Sequence, residues 1–563
     1  MTTMITEIKN KILSKLAIVG IVLILCATPQ AAASLIGAEF HESASDIMIK
    51  SLQTQPQNSF LKKMYTQLFF VPIWINEKSF SSFSQELFAQ IKEDKTLSHT
   101  TRLYQDMLAL EEKAQKIYAT SSTMTQKVDL EFKISQLYQG YADYTLYGSI
   151  NWGAFQARLS NLKVDDIAAA WVTYKPKESP ISLIENALMN GSLREEFQNA
   201  MPNEYRYKAL QKALIRYLEI QQNGGWPAVP LRGTLTVGQR YKAVPALRER
   251  LRATGDYRPC SGSREDNIYD NCLKEAVIRF QKRNGLEAKG VVGPATIKAL
   301  NVSIERRIVA IRLNLDRIKW LKERNEKRHI IINIPAFSLY FEEDGNLRQE
   351  MGVITGTRKN PTPIFSNRVK HIVLNPYWNV PESIIQKEMI PKLMRNANAM
   401  AREKIEIHSG WGENDKKINP ATVDWSQYRY SKTVPFRFAQ VPGVHNALGK
   451  VKFLFPNEFS VYMHDTPTKQ LFNRTTRAFS HGCIRLSKPI ELLKTFSTFN
   501  TSVDFDKSQE TLKGKNMTQL NLDNSVPIDV VYLTAWVDYD GQLQFRDDIY
   551  GYDEMQFKSY RNW

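Results

Sequence analysis

Two short stretches near the C-terminal end carry the residue types that covalent catalysis needs. They are Tyr462-Met-His464-Asp465-Thr466-Pro467 and Ala478-Phe479-Ser480-His481-Gly482-Cys483-Ile484-Arg485-Leu486. A thiol is a weak nucleophile at its free pKa of about 8.5, so it needs a base or cation beside it and N–H donors to hold an oxyanion. Cys483 supplies the sulfur, and His464 or His481 supplies an imidazole. Gly482 permits a tight turn and close approach of a carbonyl, where the amides of Gly482 and Cys483 would form an oxyanion hole. Arg485 is placed to orient the loop or to bind a substrate carboxylate. Tyr462 shares a strand face with His464, because side chains alternate, and either lines a donor site or packs as an ordinary strand tyrosine. His481 either assists the oxyanion or braces the turn, and Ser480 is a candidate substrate contact. With two histidines and one thiol, residue types alone leave the base open. Zinc is the competing use of His and Cys, but no His-x-x-x-His or Cys-x-x-Cys spacing occurs, so no metal and no other cofactor is expected.

Strands must position these groups. From His329 the apolar period becomes strand-like in His329–Ile334 and Ser338–Phe341, with Asp344-Gly345 as a hairpin turn signal. Further strands are expected at Val369–Leu374, Val451–Phe455, Ser460–His464 and Ile528–Val537, with a second turn at Asp540-Gly541. Between Val380 and Lys450 lies an insertion without regular alternation, carrying Trp411, Trp425, Tyr428 and Tyr430, which reads as a lid or cap. Residues 329–550 are thus expected to form a mostly β domain with a cap inserted at about 380–450, followed by a C-terminal tail at 551–563.

Upstream the pattern is helical. Residues 303–328 place Ile308, Ile311, Leu315 and Ile318 at helical spacing among many basic residues, which predicts a linker helix with one solvated basic face. Residues 233–302 predict three short helices: Val244, Leu247 and Leu251; Leu273 to Gln281; and Pro294 to Leu300. Their motifs, Ala276-Val277-x-x-Phe280-Gln281 and Gly293-Pro-Ala-Thr296-x-x-Ala-Leu300, resemble those of a three-helix peptidoglycan-binding module. This chain has Lys289-Gly290 where that family usually has Asp-Gly. Residues 34–232, with long Pro-free segments such as Thr101–Tyr118 and Gln126–Tyr144, predict a helical scaffold whose aromatics belong to its core. The fold class is multidomain α+β.

A His on a β domain followed by a Ser-His-Gly-Cys-x-Arg box resembles the catalytic signature of the L,D-transpeptidases. The scaffold, the binding module and the cap resemble the large Gram-negative type of that family. Smaller members typically have Gly where this chain has Asp465. The resemblance implies Cys483 as the acylated nucleophile and His464 as its base. It also implies attack on the bond between diaminopimelate and the terminal D-Ala of a tetrapeptide stem, release of D-Ala, and transfer to a neighbouring stem amine that links two diaminopimelates. Acylation of Cys483 by carbapenems is implied as well. A carboxypeptidase or wall amidase sharing the thioester, with water as acceptor, is a second reading. A non-enzymatic wall-binding scaffold with a structural Cys483 is a third.

Length and composition fit this plan. At roughly 150 residues per domain, 563 residues allow three or four domains. With 43% apolar and 24% charged residues the chain is neither disordered nor collagen-like, and no internal apolar run suits a polytopic membrane protein. Lys9, Lys11 and Lys15, the apolar run Leu16 to Ala27 and the small residues Ala31–Ala33 read as a signal peptide over 1–33. Export to the periplasm is expected, with attachment to the inner membrane only if that segment is not cleaved. The net charge of +17 suits stem peptides rich in carboxylates, and export argues against nucleic acid. Stem peptides and other cell-wall synthesis proteins are the expected partners. In an exported chain Cys260 and Cys272, around Ser261-Gly262-Ser263, are expected to pair, leaving Cys483 free; two free thiols or a metal site are the alternatives, though no His lies nearby.

Overall fold

The computed structural model describes residues 29–164, 167–202, 205–261, 266–322, 326–412, 415–431 and 433–559. Within them the chain forms two compact units, one of residues 29–149 and 175–211, the other of 150–174 and 212–559. The region expected to be a single scaffold over 34–232 is therefore shared between units. Of the expected signal segment, residues 1–28 lie outside the described residues, and Ala31–Ala33 fall inside the helix Pro29–Gln53. No helix among the described residues is long and apolar enough to cross a membrane.

The first unit is helical. Helices Phe60–Gln67, Ser82–Glu93, Arg102–Ala119 and Met124–Tyr147 each start where a Ser or Thr hydroxyl (Ser59, Ser81, Thr101, Thr123) accepts an otherwise orphan N–H. A wholly buried carboxylate, Glu131, sits in its core. Glu131 accepts the N–H groups of Ile73, Trp74 and Ile75 and the Tyr65 hydroxyl at 2.6–3.1 Å. Burial pushes its pKa up to about 7 despite those donors. It ties the irregular segment 71–76 to the helix Met124–Tyr147.

In the second unit, helices Val244–Ala253, Asn271–Arg283 and Pro294–Leu300 form the expected three-helix module around Leu247, Leu251, Leu273, Val277, Phe280 and Leu300. Gln281 of its motif is internal: Oε1 accepts Gly290 N–H and Nε2 donates to Val291 O and Thr296 Oγ1. Cys260 and Cys272 are joined by a disulfide, as spacing and export suggested. Arg283, ion-paired with buried Asp256, offers its carbonyl to Arg546, so the module is fastened to the C-terminal part of this unit.

The catalytic candidate lies on a β barrel. Its strands are β1 Arg328–Asn333, β2 Ser338–Glu343, β3 Asn346–Gly356, β4 Phe365–Leu374, β5 Val451–Leu454, β6 Met463–His464, β7 Ala478–Ser480, β8 Ile484–Leu486 and β9 Thr518–Val531. They are ordered β7-β3-β8-β6-β5-β4-β9-β1-β2, and the β2–β3 pairing closes the ring, which leaves β7 appended on β3. Asp344 and Gly345, both at positive φ, make the expected two-residue hairpin between β2 and β3. The insertion is more regular than its sequence suggests. Trp378–Asn379, Arg437–Gln440 and Ile405–His408 form a small sheet over its own core of Ile385, Ile390, Ile407, Trp425 and Phe438. Strands of two to four residues are too short to show alternation.

Two elements differ from expectation. The linker helix α1, Ile304–Lys319, has no solvated basic face along its second half, where Asn314 to Lys319 are all buried. The expected tail folds into a helix, α2, Tyr552–Phe557. One residue explains both: Arg317, 2% exposed, donates to Gln556 Oε1 (2.7 Å), Asp553 Oδ1 (2.6 Å), Tyr532 O (3.0 Å) and Asn314 Oδ1 (3.2 Å). A guanidinium with its donors satisfied can be buried where a lone cation cannot. Arg317→Met leaves the Asp553 carboxylate with the Thr534 hydroxyl but without its cation, so it should lower unfolding stability by about 3 kcal/mol, read as a drop in denaturant midpoint. A midpoint equal to that of the wild type would show that α1 and α2 are held by apolar packing alone.

Candidate active site

The short strands β6 and β8 run parallel with His464 opposite Arg485 and Met463 opposite Ile484, and Ile484 N–H donates to Tyr462 O (3.0 Å). On the other side, β5 is antiparallel to β6 with Lys452 opposite His464. Directly paired residues face the same way and neighbours alternate. Val451, Phe453, Met463, Ile484 and Leu486 thus turn into the apolar barrel, where each is essentially fully buried. Tyr462, His464, Cys483, Arg485 and Lys452 share the opposite, outer face. The barrel's need for an apolar lining is what gathers the chemical groups on one side.

Geometry assigns the imidazole's role. His464 Nδ1 lies against the backbone oxygen of Asp465 (2.5 Å). A carbonyl can only accept, so Nδ1 carries the proton and Nε2 keeps a free lone pair. Asp465 orients the imidazole through its main chain, while its carboxylate accepts from Lys450 N–H and Lys469 and so fixes the loop. Burial, then the charge of Arg485 and more weakly those of Lys452 and Lys469, hold the imidazole pKa down to about 3. The ring of Tyr462 stands edge-on to that of His464 with centroids 5.7 Å apart.

Burial also pushes the Cys483 thiol above its ordinary value. The backbone and hydroxyl of Tyr462, then Lys452 and Arg485, act in the opposite direction. Lys452, half-buried, lies with Nζ 3.7 Å from the Tyr462 ring centroid. Burial lowers the pKa of both Lys452 and Arg485, and Cys483 raises it. Two partly desolvated cations beside a thiol will stabilise negative charge as it develops there. Lys452 was not singled out from the sequence. The one available signal was a lysine interrupting the apolar strand Val451–Phe455.

The structure separates the other expected residues. His481 is half exposed and points to Glu388 of the insertion, with Nε2 to Oε1 at 3.4 Å. Ser480, expected to contact substrate, is 1% exposed and its hydroxyl is used inside the turn. It accepts Gly482 N–H (3.2 Å) and donates to Cys483 O (2.5 Å). The expected oxyanion pair is changed by the same contact, because the Gly482 amide is engaged. Cys483 N–H is left as the donor beside the sulfur with no protein acceptor among the described residues. Gly482 has φ of +111°, a conformation that disfavours any side chain. Cys260 and Cys272 lie in the three-helix module and take no part in this site.

Burial thus disfavours charge on both the thiol and the imidazole of this face. The far-ultraviolet thiolate absorbance, measured as wild type minus Cys483→Ser, should be absent at neutral pH and emerge only above the ordinary thiol range. A thiolate signal at neutral pH would mean a preformed ion pair instead.

Three regions of the chain match known protein families. Residues 327–504 match the family described as L,D-transpeptidase catalytic domain, 59–214 the Scaffold domain, and 240–300 the "Putative peptidoglycan binding domain". A Haemophilus influenzae protein named "Putative L,D-transpeptidase" is 33% identical over 238 residues, 42% of this chain and 46% of that protein. The chain thus spans under half the length of that relative. Solved L,D-transpeptidases from Stackebrandtia nassauensis (14% identity, 54% of this chain and 97% of that one, TM-score 0.22) and Mycobacterium smegmatis (14%, 36% and 58%, TM-score 0.18) also align, at scores too low to carry structural argument. Residues 327–504 are thus similar to L,D-transpeptidase catalytic domains, in a chain that also matches a Scaffold domain and a peptidoglycan-binding domain.

Proposed function

We propose that Cys483 is the nucleophile of an acyl transfer between peptidoglycan stem peptides, with His464 as its base. The observation that supports this most is the common outer face of β5, β6 and β8, which places thiol, oriented imidazole and two cations together. In the first step the Cys483 sulfur attacks the carbonyl carbon of the bond between diaminopimelate and terminal D-Ala, and His464 Nε2 takes the thiol proton. Cys483 N–H, with Lys452 and Arg485 nearby, faces the charge that builds on the carbonyl oxygen. The C–N bond then breaks, His464 returns the proton to the leaving amine, and D-Ala departs. In the second step an amine of a neighbouring stem attacks the thioester. It loses a proton to His464, and the C–S bond breaks to regenerate the thiol and leave a new amide.

The setting is proposed to be the periplasm. The signal-like pattern at residues 1–33 and the disulfide of the three-helix module fit an oxidising, exported environment.

Purified protein incubated with disaccharide-tetrapeptide should yield a cross-linked dimer and free D-Ala by mass spectrometry. Tripeptide without dimer would make water the acceptor, and unchanged substrate would remove the enzymatic reading. Cys483→Ala should abolish turnover while circular dichroism stays as in wild type. His464→Ala should slow turnover by at least roughly 100-fold, the usual loss for a general base. His481→Ala should have a much smaller effect, because that ring faces Glu388; the reverse order would move the base to His481.

A further inference from the structure

The turn bearing Cys483 is held from beneath by a buried chain of hydrogen bonds that starts beyond the matched catalytic domain. Asp548 Oδ1 accepts the Tyr532 hydroxyl (2.6 Å), and the Tyr532 oxygen accepts Tyr550 N–H (2.9 Å). The Tyr550 hydroxyl donates to Gly356 O (2.8 Å) and accepts Thr362 N–H (3.2 Å). Thr362 Oγ1 in turn accepts Gly356 N–H (2.8 Å) and donates to Gly482 O (2.8 Å), the carbonyl that directly precedes Cys483 N–H. Thr362 is 0% exposed and Tyr550 3%, so water cannot replace either contact. The loop from Gly356 to Thr362 closes tightly on itself: a Cβ at Gly356 would lie 2.0 Å from Asn360 O.

We propose that Thr362 and Tyr550 are positioning residues for the acyl transfer, acting through Gly482. The peptide plane between Gly482 and Cys483 carries Gly482 O on one edge and Cys483 N–H on the other. Fixing the oxygen on Thr362 fixes the direction in which the N–H points, and with it the place where a substrate oxyanion is held. Gly482 at positive φ has little steric restraint of its own, so an outside anchor is needed. Segment 543–559, which closes the anchor, is part of the catalytic apparatus on this assignment and not an appendage to it. The assignment rests on Cys483 being the acylated residue.

The test compares two reactions of the same sulfur. Acylation by a carbapenem passes through an oxyanion and needs the N–H in place. Alkylation by a small neutral haloacetamide draws on the same sulfur and the same base but builds no oxyanion. In Thr362→Val acylation should fall roughly 10- to 100-fold, the scale of a small misplacement at a reacting centre, while alkylation stays within about twofold of wild type. Thr362→Ser, which keeps the hydroxyl, should restore acylation. Tyr550→Phe removes the next link and carries the test if Thr362→Val does not fold. Acylation at the wild-type rate in folded Thr362→Val and Tyr550→Phe overturns the assignment, and so does a parallel loss of acylation and alkylation. If wild type itself takes no adduct at Cys483, the proposed function falls first and this assignment with it.

Discussion

The parallel pairing of β6 with β8 is the constraint on which the rest depends. Two strands of two and three residues carry His464 and the exit from Cys483, joined through Ile484 N–H and Tyr462 O. A slip of one residue would turn His464 or Cys483 into the barrel and expose Met463 or Ile484. Strands this short cannot hold register alone. The ring does it for them: β5 grips β6, the long β3 grips β8, and the closed barrel removes the edges along which either could slide.

Burial on that face does two things at once. It disfavours charge on both thiol and imidazole, with the thiol pushed up and the imidazole held down to about 3, so that in the proposed mechanism neither is consumed by an ion pair before substrate arrives. It also strips water from Lys452 and Arg485, whose field then acts at low screening on any negative charge at Cys483. Glu131 in the first unit shows the structural counterpart, a buried carboxylate fully supplied with donors.

Much of the site was legible because its groups are local in sequence. Tyr462, His464, Cys483 and Arg485 lie in two short strings, and alternation alone puts Tyr462 with His464. The anchors were not legible, because they arrive by topology. Lys452 reaches the face only through the antiparallel β5–β6 register, and the acceptor for His464 Nδ1 is a main-chain oxygen that no side-chain pattern announces. Ser480 looked like a ligand contact, yet its hydroxyl closes the turn. The same holds for the fold. Helical spacing found the three-helix module and α1, but a basic helix reads as solvated until its partner is known. The carboxylate and amide that receive Arg317 come from Asp553 and Gln556, more than 200 residues further on.

The central claim is that Cys483 is the residue that becomes acylated. Intact-protein mass spectrometry after incubation with a carbapenem, followed by peptide mapping, tests it most directly. The account predicts one adduct per chain, on the peptide containing Ser480-His-Gly-Cys483, and none in Cys483→Ala. An adduct on any other residue, or one that persists in Cys483→Ala, would contradict it.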